Sequence, residues 1–366
     1  MFKQCNIIIE DECNIKLEGL DLATRKACAN SVKYFLPHAR YSPAFKLGRW
    51  DGTQSFCTLG GRTYLNLLDK ILPILQENDF EFEIEDRRQH YQFELETVDD
   101  QFLANINWPD GHRMAGEPIV LRDYQVAAIN DCVANLQGIS IAPTSAGKTL
   151  ITASLSKIAE KYGRTIVIVP NKNLVQQTEE DYRNIGLDVG VLYGDRKEYN
   201  RTHTICTWQS LNVLDKKSKD CLDEDQLEVF LDNLVAVICD EVHMVNNTGV
   251  LHTLLTTTFA SVPIRWGLTG TIPEEEYRQV SLHSAIGPII GKLTAKELQD
   301  AGHLAQCHVN VLQTQETMVY NNYQEELKYL TTNKERLKWL AKTVEDIAKT
   351  GNTLVLIDRI ETGQIL

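Results

Sequence analysis

Several things are missing from these 366 residues. No apolar run reaches membrane-spanning length, and the opening MFKQCNIIIEDE lacks a basic stretch followed by an apolar one, so neither a membrane protein nor a secreted one is expected. The nine cysteines form no CxxC pair, which excludes the usual zinc and disulfide frameworks and fits reduced thiols in a cytoplasm. No internal repeat or low-complexity segment occurs. Acid is missing altogether from Thr24 to Trp50, where Arg25, Lys26, Lys33, Arg40, Lys46 and Arg49 alternate with Tyr34, Phe35, Tyr41, Phe45 and Trp50. The net charge of −13 hides that basic island, so it settles nothing about a polyanionic partner.

The chain divides by texture. Residues 1–110 mix short apolar runs (CNIIIE, FEFEIE) with a helical pattern, DLATRKACANSVKYF, and read as a small α+β domain. INWPDGHRMAGEP has the Pro and Gly content of a linker. Over 117–290, apolar strand-like runs (GISIAP, RTIVIVP, DVGVLYG, HTICTW, LVAVICDE, IRWGLTGT) alternate with helical ones such as TLITASLSKIAEKY and NLVQQTEEDYRNIG. That alternation predicts an α/β, doubly wound parallel sheet with ligands at the carboxyl ends of its strands. Over 300–366 the pattern restarts, with strands expected at CHVNVLQ and NTLVLID around the helix KERLKWLAKTVEDIAKT.

The chemistry sits in APTSAGKT, where a strand runs into a small-residue loop and then a helix. Pro143, Thr144, Ser145, Ala146 and Gly147 form a loop whose backbone N–H groups can turn toward phosphates at a helix N-terminus. Lys148 can reach the β- and γ-phosphates, and the Thr149 hydroxyl can ligate Mg²⁺. Ala142 stands where the usual motif has its first glycine. Further on, LVAVICDEVH ends an apolar strand with Asp240, placed to hold Mg²⁺, and Glu241, placed to activate water. A loop of this kind followed by a strand-end carboxylate pair reads as an ATPase using ATP and Mg²⁺. A solvated acidic loop does not explain why the two signals share one sheet edge.

These motifs, in this order, resemble the superfamily 2 helicases and translocases with a DExH-type box. The resemblance makes the 117–290 region a RecA-like P-loop NTPase domain and 300–366 the start of a second. It also implies an adenine reader at Gln125 within LRDYQ, with Arg122 beside it. Pro170 and Asn171, and Thr207, Trp208 and Gln209, fall at DNA-contacting motifs. Thr269, Gly270 and Thr271 fall at the motif coupling hydrolysis to movement, and His243 becomes a coupling residue. FKLGRWDGTQSFC, with the stretch after it, is similar to the opening domain of the UvsW-like helicases of T-even-like phages. That similarity implies branched DNA (junctions, forks, R-loops) as partner, in recombination, repair and replication, in the cytoplasm of an infected bacterium. Arg40, Lys46, Arg49 and Trp50 are then candidate DNA contacts. Trp50 reads equally as a packing residue, and Asp51-Gly52 as a hairpin turn. Single-stranded-DNA-binding or recombination proteins as further partners stay open.

The resemblance also carries an expectation of incompleteness: no arginine finger is in view, so weak hydrolysis by this chain alone is expected. Two other readings stand beside a branched-DNA helicase. One is another superfamily 2 motor, a restriction-type translocase or an RNA helicase. The other is a non-catalytic, ATP-gated DNA-binding module. A metabolic P-loop kinase leaves LRDYQ and TWQSL unexplained.

Overall fold

The fold was analysed in a computed structural model, which describes residues 3–219, 224–245, 249–306, 308–313, 319–357 and 359–365. Residues 1–306 and 307–366 form two compact units.

The first unit carries two main sheets. Its N-terminal sheet uses β1 (Lys3–Ile9), β2 (Asn14–Glu18), β5 (Arg62–Tyr64) and β6 (Phe80–Asp86), in the order β5-β2-β1-β6. Along β2 the buried residues Ile15 and Leu17 alternate with half-exposed neighbours, the pattern of a sheet with one covered face. The helices Leu22–Ser31 and Leu68–Glu77 supply the cover. Asp21 caps the first of these, its side chain accepting from the Thr24 N–H.

A short ribbon pairs β3 (Lys33–Phe35) with β4 (Thr53–Ser55), Phe35 opposite Thr53. Asp51-Gly52 is therefore not a two-residue hairpin. It closes a longer excursion that holds most of the basic island. Gly52 has φ +76°, and a Cβ there would lie 2.5 Å from the Phe35 ring and 2.9 Å from that of Phe45. The expected helix likewise ends at Ser31, because Lys33–Phe35 join this ribbon.

The segment read as a linker is not loose. Trp108 and Glu117 pair through the Trp108 N–H (2.9 Å), Gly116 N–H returns to the Trp108 carbonyl (3.0 Å), and the Trp108 and His112 rings stack at 4.0 Å. Upstream, Phe93, Leu95, Val98 and Phe102 pack against the core of the larger sheet.

That larger sheet contains β7 (Gln137–Ile141), β8 (Arg164–Val169), β9 (Val189–Tyr193), β10 (Arg196–Lys197), β11 (His203–Thr207), β12 (Leu234–Asp240), β13 (Ile264–Thr269) and β14 (Ile289–Lys292). Its order is β10-β9-β11-β8-β12-β13-β7-β14, parallel throughout except for the β9–β10 pair. Both faces are covered, so the strands are continuous apolar runs rather than alternating ones. Val167 and Val169 face one core while Ile166 and Ile168 face the other.

The N-terminal sheet seats on a cluster of chain ends that a buried guanidinium ties together. Arg265, on β13, is fully buried. Its Nε and Nη2 donate to the Ala285 carbonyl (2.9 and 2.7 Å), Nη2 also to Leu255 (2.7 Å), and Nη1 to Phe259 (2.6 Å). The β1–β2 turn docks on the same cluster of chain ends. Glu12 N–H donates to the Ala260 carbonyl (3.0 Å), and Asn14 Nδ2 donates to that of Thr256 (2.8 Å).

In the second unit the expected helix is present as Lys334–Ala348, preceded by Tyr323–Thr332. The two expected strands are not found: residues 308–313 and 352–357 carry no ladder, and Leu354 and Leu356 are exposed. Their apolar β-branched composition suits a strand only where a neighbouring strand takes up the backbone groups. Cys307 and Asp358, at the ends of those two runs, lie outside the described residues.

Candidate nucleotide site and strand-end groove

The phosphate loop leaves β7 at the carboxyl edge of the sheet. Gly147 (φ +76°) begins the helix Lys148–Ala159, and Ser145 also has positive φ (+71°). The loop is held from below: Ala142 N–H donates to the Thr269 carbonyl at 2.8 Å, and Ala142 and Ala146 are buried. The methyl group of Ala142, which breaks the usual glycine pattern, is thus accommodated in packing with Tyr124, Ala146 and Leu298.

Gln125 is buried beneath this loop. Its Nε2 donates to the Ala146 carbonyl (3.1 Å), and its Oε1 accepts from Arg122 N–H (2.9 Å). A Cβ on Gly147 would lie 2.5 Å from Gln125 Nε2, which explains the glycine. The residue expected to read adenine is seen clamping the loop. Arg122 is exposed beside it, its Nη1 donating to the Tyr124 hydroxyl at 2.7 Å. Pro143 is buried, while Thr144 and Ser145 are open to solvent at the mouth and Thr149 is half-buried on the helix.

Across the edge, β12 delivers the carboxylates. Lys148 Nζ lies 3.0 Å from Glu241 Oε1, both partly buried. Glu241 adopts a left-handed backbone (φ +50°), a conformation costing about 1–3 kcal/mol in a non-glycine residue and concentrated at functional sites. Burial, then the charge of Glu241, raises the Asp240 pKa above the usual carboxylate range.

His243 ties this pair to the next strand. Its Nδ1 is 2.9 Å from Thr269 Oγ1 and 3.3 Å from Glu241 Oε2. Thr269 Oγ1 donates to the Thr271 carbonyl (2.9 Å), so toward His243 it can only accept. Nδ1 must then carry the proton and donate, which fixes the ring. Gly270 sits where a Cβ would be 3.7 Å from Lys148 Nζ, so the end of β13 closes against the phosphate loop.

The donor set suits Mg²⁺: one hydroxyl (Thr149) and one carboxylate (Asp240), leaving positions for phosphate oxygens and water.

A second site opens further along the same edge. A groove of about 460 Å³ is lined by Pro170, Asn171, Thr207 and Gln209, with Lys172, Lys197, Lys217 and Tyr193 around them. Asn171 caps its helix, accepting from Leu174 N–H at 3.1 Å, and Thr207 is buried with its hydroxyl 3.1 Å from that of Ser210. Trp208 is turned away and packs against the core beneath. Sequence reading missed the three lysines and Tyr193. The signal was the strand-final Tyr-Gly of DVGVLYG, equivalent in place to VP and TW on the neighbouring strands.

Arg40, Lys46 and Arg49 lie elsewhere, exposed on the N-terminal excursion. The Arg40 guanidinium sits 5.6 Å from the centre of the Phe35 ring. Trp50 is half-buried, its Nε1 donating to the Thr53 carbonyl at 2.9 Å, which is a packing role.

With this geometry in hand, residues 118–274 match the family described as Type III restriction enzyme, res subunit. The chain is similar to the ATP-dependent DNA helicase uvsW of Enterobacteria phage T4, 23% identical over 346 residues, covering 89% of this chain and 65% of that one. It is 29% identical over 254 residues to the DNA 3'-5' helicase XPB of Mycobacterium tuberculosis, covering 63% of this chain and 43% of the relative. The chain thus spans less than two thirds of the length of these relatives. Among solved structures, one of T4 UvsW superposes with a TM-score of 0.62 at 19% identity, over 99% of this chain and 71% of that one. A second, the crystal structure of the UvsW helicase from Bacteriophage T4, gives 0.61 at 18%, over 79% of this chain and all of the other. At such identities they speak to the fold, which is RecA-like. The resemblance to UvsW-like superfamily 2 helicases read from the motifs is borne out.

Proposed function

We propose that this chain carries the nucleotide-hydrolysing part of an ATP-dependent DNA helicase or translocase acting on branched DNA in recombination, repair and replication. The observation that carries the reading is one connected edge: Lys148 on Glu241, Glu241 beside His243, His243 on Thr269, and Thr269 bonded to Ala142 at the start of the phosphate loop. Such a chain of contacts can pass the state of the nucleotide to a neighbouring strand end.

Lys148 pairs with Glu241 and offsets its charge. A γ-phosphate competes for Lys148, freeing Glu241 as the base that orients an attacking water. Mg²⁺, held by Thr149 and Asp240, would offset charge on the phosphates. Loss of the Lys148 contact also changes what His243 faces, and Thr269 follows.

The strand-end groove supports nucleic acid as the second ligand, because its lysines and helix-capping polar groups suit phosphates and read no bases. The basic excursion near Arg40, Lys46 and Arg49 adds a separate phosphate-facing surface. Similarity to uvsW of phage T4 favours DNA over RNA and supports a cytoplasmic working place in an infected bacterium. The branched form rests on that similarity alone. ATP turnover measured with a forked DNA, a linear duplex and an RNA duplex tests the substrate. Equal stimulation by fork and linear duplex removes the branched-DNA part, and stimulation by RNA alone overturns the DNA reading.

A further inference from the structure

One element packs beside the phosphate loop from outside the recognised motifs. β14 runs parallel to β7, Lys292 pairing with Ile141, and Leu293 N–H donates to the Ile141 carbonyl at 2.8 Å, just before the phosphate loop. A short helix, Ala295–Asp300, follows and is capped at both ends. At its start Thr294 N–H donates to Glu297 Oε2 (2.7 Å), and Glu297 N–H donates to Thr294 Oγ1 (3.2 Å). At its end Gly302 (φ +74°) lets His303 N–H reach the Leu298 carbonyl (2.8 Å) and its own N–H reach Gln299 (3.0 Å). This pair of bonds is a Schellman closure.

The two caps leave the helix little freedom. Leu298 is pressed into the cluster of Tyr124, Ala142 and Ala146, behind the loop. His303 is carried onto Tyr124, with ring centres 5.2 Å apart and planes at 63°, and its Nε2 is 3.7 Å from Asp123 Oδ1. Arg122, bonded to the Tyr124 hydroxyl, is exposed, and so is His303. Gln125, the next residue along, clamps the loop at Ala146. A planar cation and an imidazole thus flank one buried tyrosine, beside the amide that holds the phosphate loop.

We propose that His303 faces the base of the bound nucleotide, forming with Arg122 and Tyr124 the wall against which a purine packs. The inference rests on the nucleotide reading above and adds to it a residue from outside every recognised motif. Planar faces such as imidazole and guanidinium suit an aromatic base, whereas phosphates are already provided for at the other end of the loop.

The test separates base from phosphate. Binding of ADP and of inorganic pyrophosphate, each with Mg²⁺, is measured by calorimetry on the whole chain and on His303→Ala and His303→Phe. The expected result is ADP affinity about fivefold weaker in His303→Ala, near normal in His303→Phe, and pyrophosphate affinity unchanged in both. Equal weakening of both ligands overturns the proposal, since His303 then merely props the loop. Unchanged ADP affinity in His303→Ala overturns it too, leaving the nucleotide site standing. An unaltered chain that binds neither ligand overturns both readings.

Discussion

The candidate nucleotide edge and the basic excursion of the N-terminal sheet, both singled out in the sequence, are built in opposite ways. At the nucleotide edge, Lys148, Glu241, His243 and Thr269 each hold another within 3.3 Å. On the excursion, Arg40, Lys46 and Arg49 extend into solvent. Hydrolysis needs groups fixed where charge develops, and fixing them costs strain, as at Glu241. Holding a sugar-phosphate backbone needs only density of charge.

That contrast can be broken at several points. Glu241→Gln should keep ATP binding while lowering turnover about 10²- to 10⁴-fold, measured by steady-state hydrolysis. A loss under tenfold would mean that Glu241 merely pairs with Lys148.

The β1–β2 turn seats on chain ends that Arg265 ties together, which assigns Arg265 a large stability effect. Arg265→Leu leaves the Ala285, Leu255 and Phe259 carbonyls without their donor and should lower unfolding free energy by about 3 kcal/mol or more in chemical denaturation. A change below about 1 kcal/mol would show that these carbonyls find other donors and that Arg265 is not what holds the cluster.

Acid should weaken the same junction. Burial, and then the charge of Arg265, depress the His252 pKa from 6.5 to about 4. Since the folded value lies below the unfolded one, stability is complete above about pH 6.5 and falls as pH drops toward 4. Thermal melts at pH 7 and 5 should differ by on the order of 2 kcal/mol through this residue, a difference reduced in His252→Gln. Equal acid sensitivity in the variant would assign the loss to other groups.

The smallest effect belongs to the excursion. Replacing Arg40, Lys46 and Arg49 together by Gln should weaken duplex binding about tenfold and flatten its dependence on salt, with turnover in the absence of DNA unchanged. An unchanged salt slope would leave the excursion as a solvated surface.

Most of the large sheet was legible because a strand buried on both faces must be a continuous apolar run, and LVAVICD or RTIVIV can be little else. The juxtaposition of the phosphate loop with the strand-end carboxylates was legible for a related reason: phosphate chemistry calls for small loop residues, a lysine and a strand-end carboxylate. Contacts made across the chain were not. Nothing in the spacing joins Arg265 to Ala285, or His303 to Tyr124, because such pairs exist only once the sheet is assembled. Asp51-Gly52 misled for the opposite reason, since its turn chemistry is real but closes a long excursion. CHVNVLQ and NTLVLID have strand composition, and composition makes a strand only beside a partner.

The central claim is that Lys148 and Glu241 form a working ATP site whose state is passed along the strand ends. Its most direct test is ATP turnover by this chain and by Lys148→Ala, each with and without forked DNA. The account predicts turnover in the unaltered chain, low in absolute rate, that is abolished in Lys148→Ala, with DNA binding retained. Equal turnover in the two chains, or DNA binding lost together with the lysine, would contradict it.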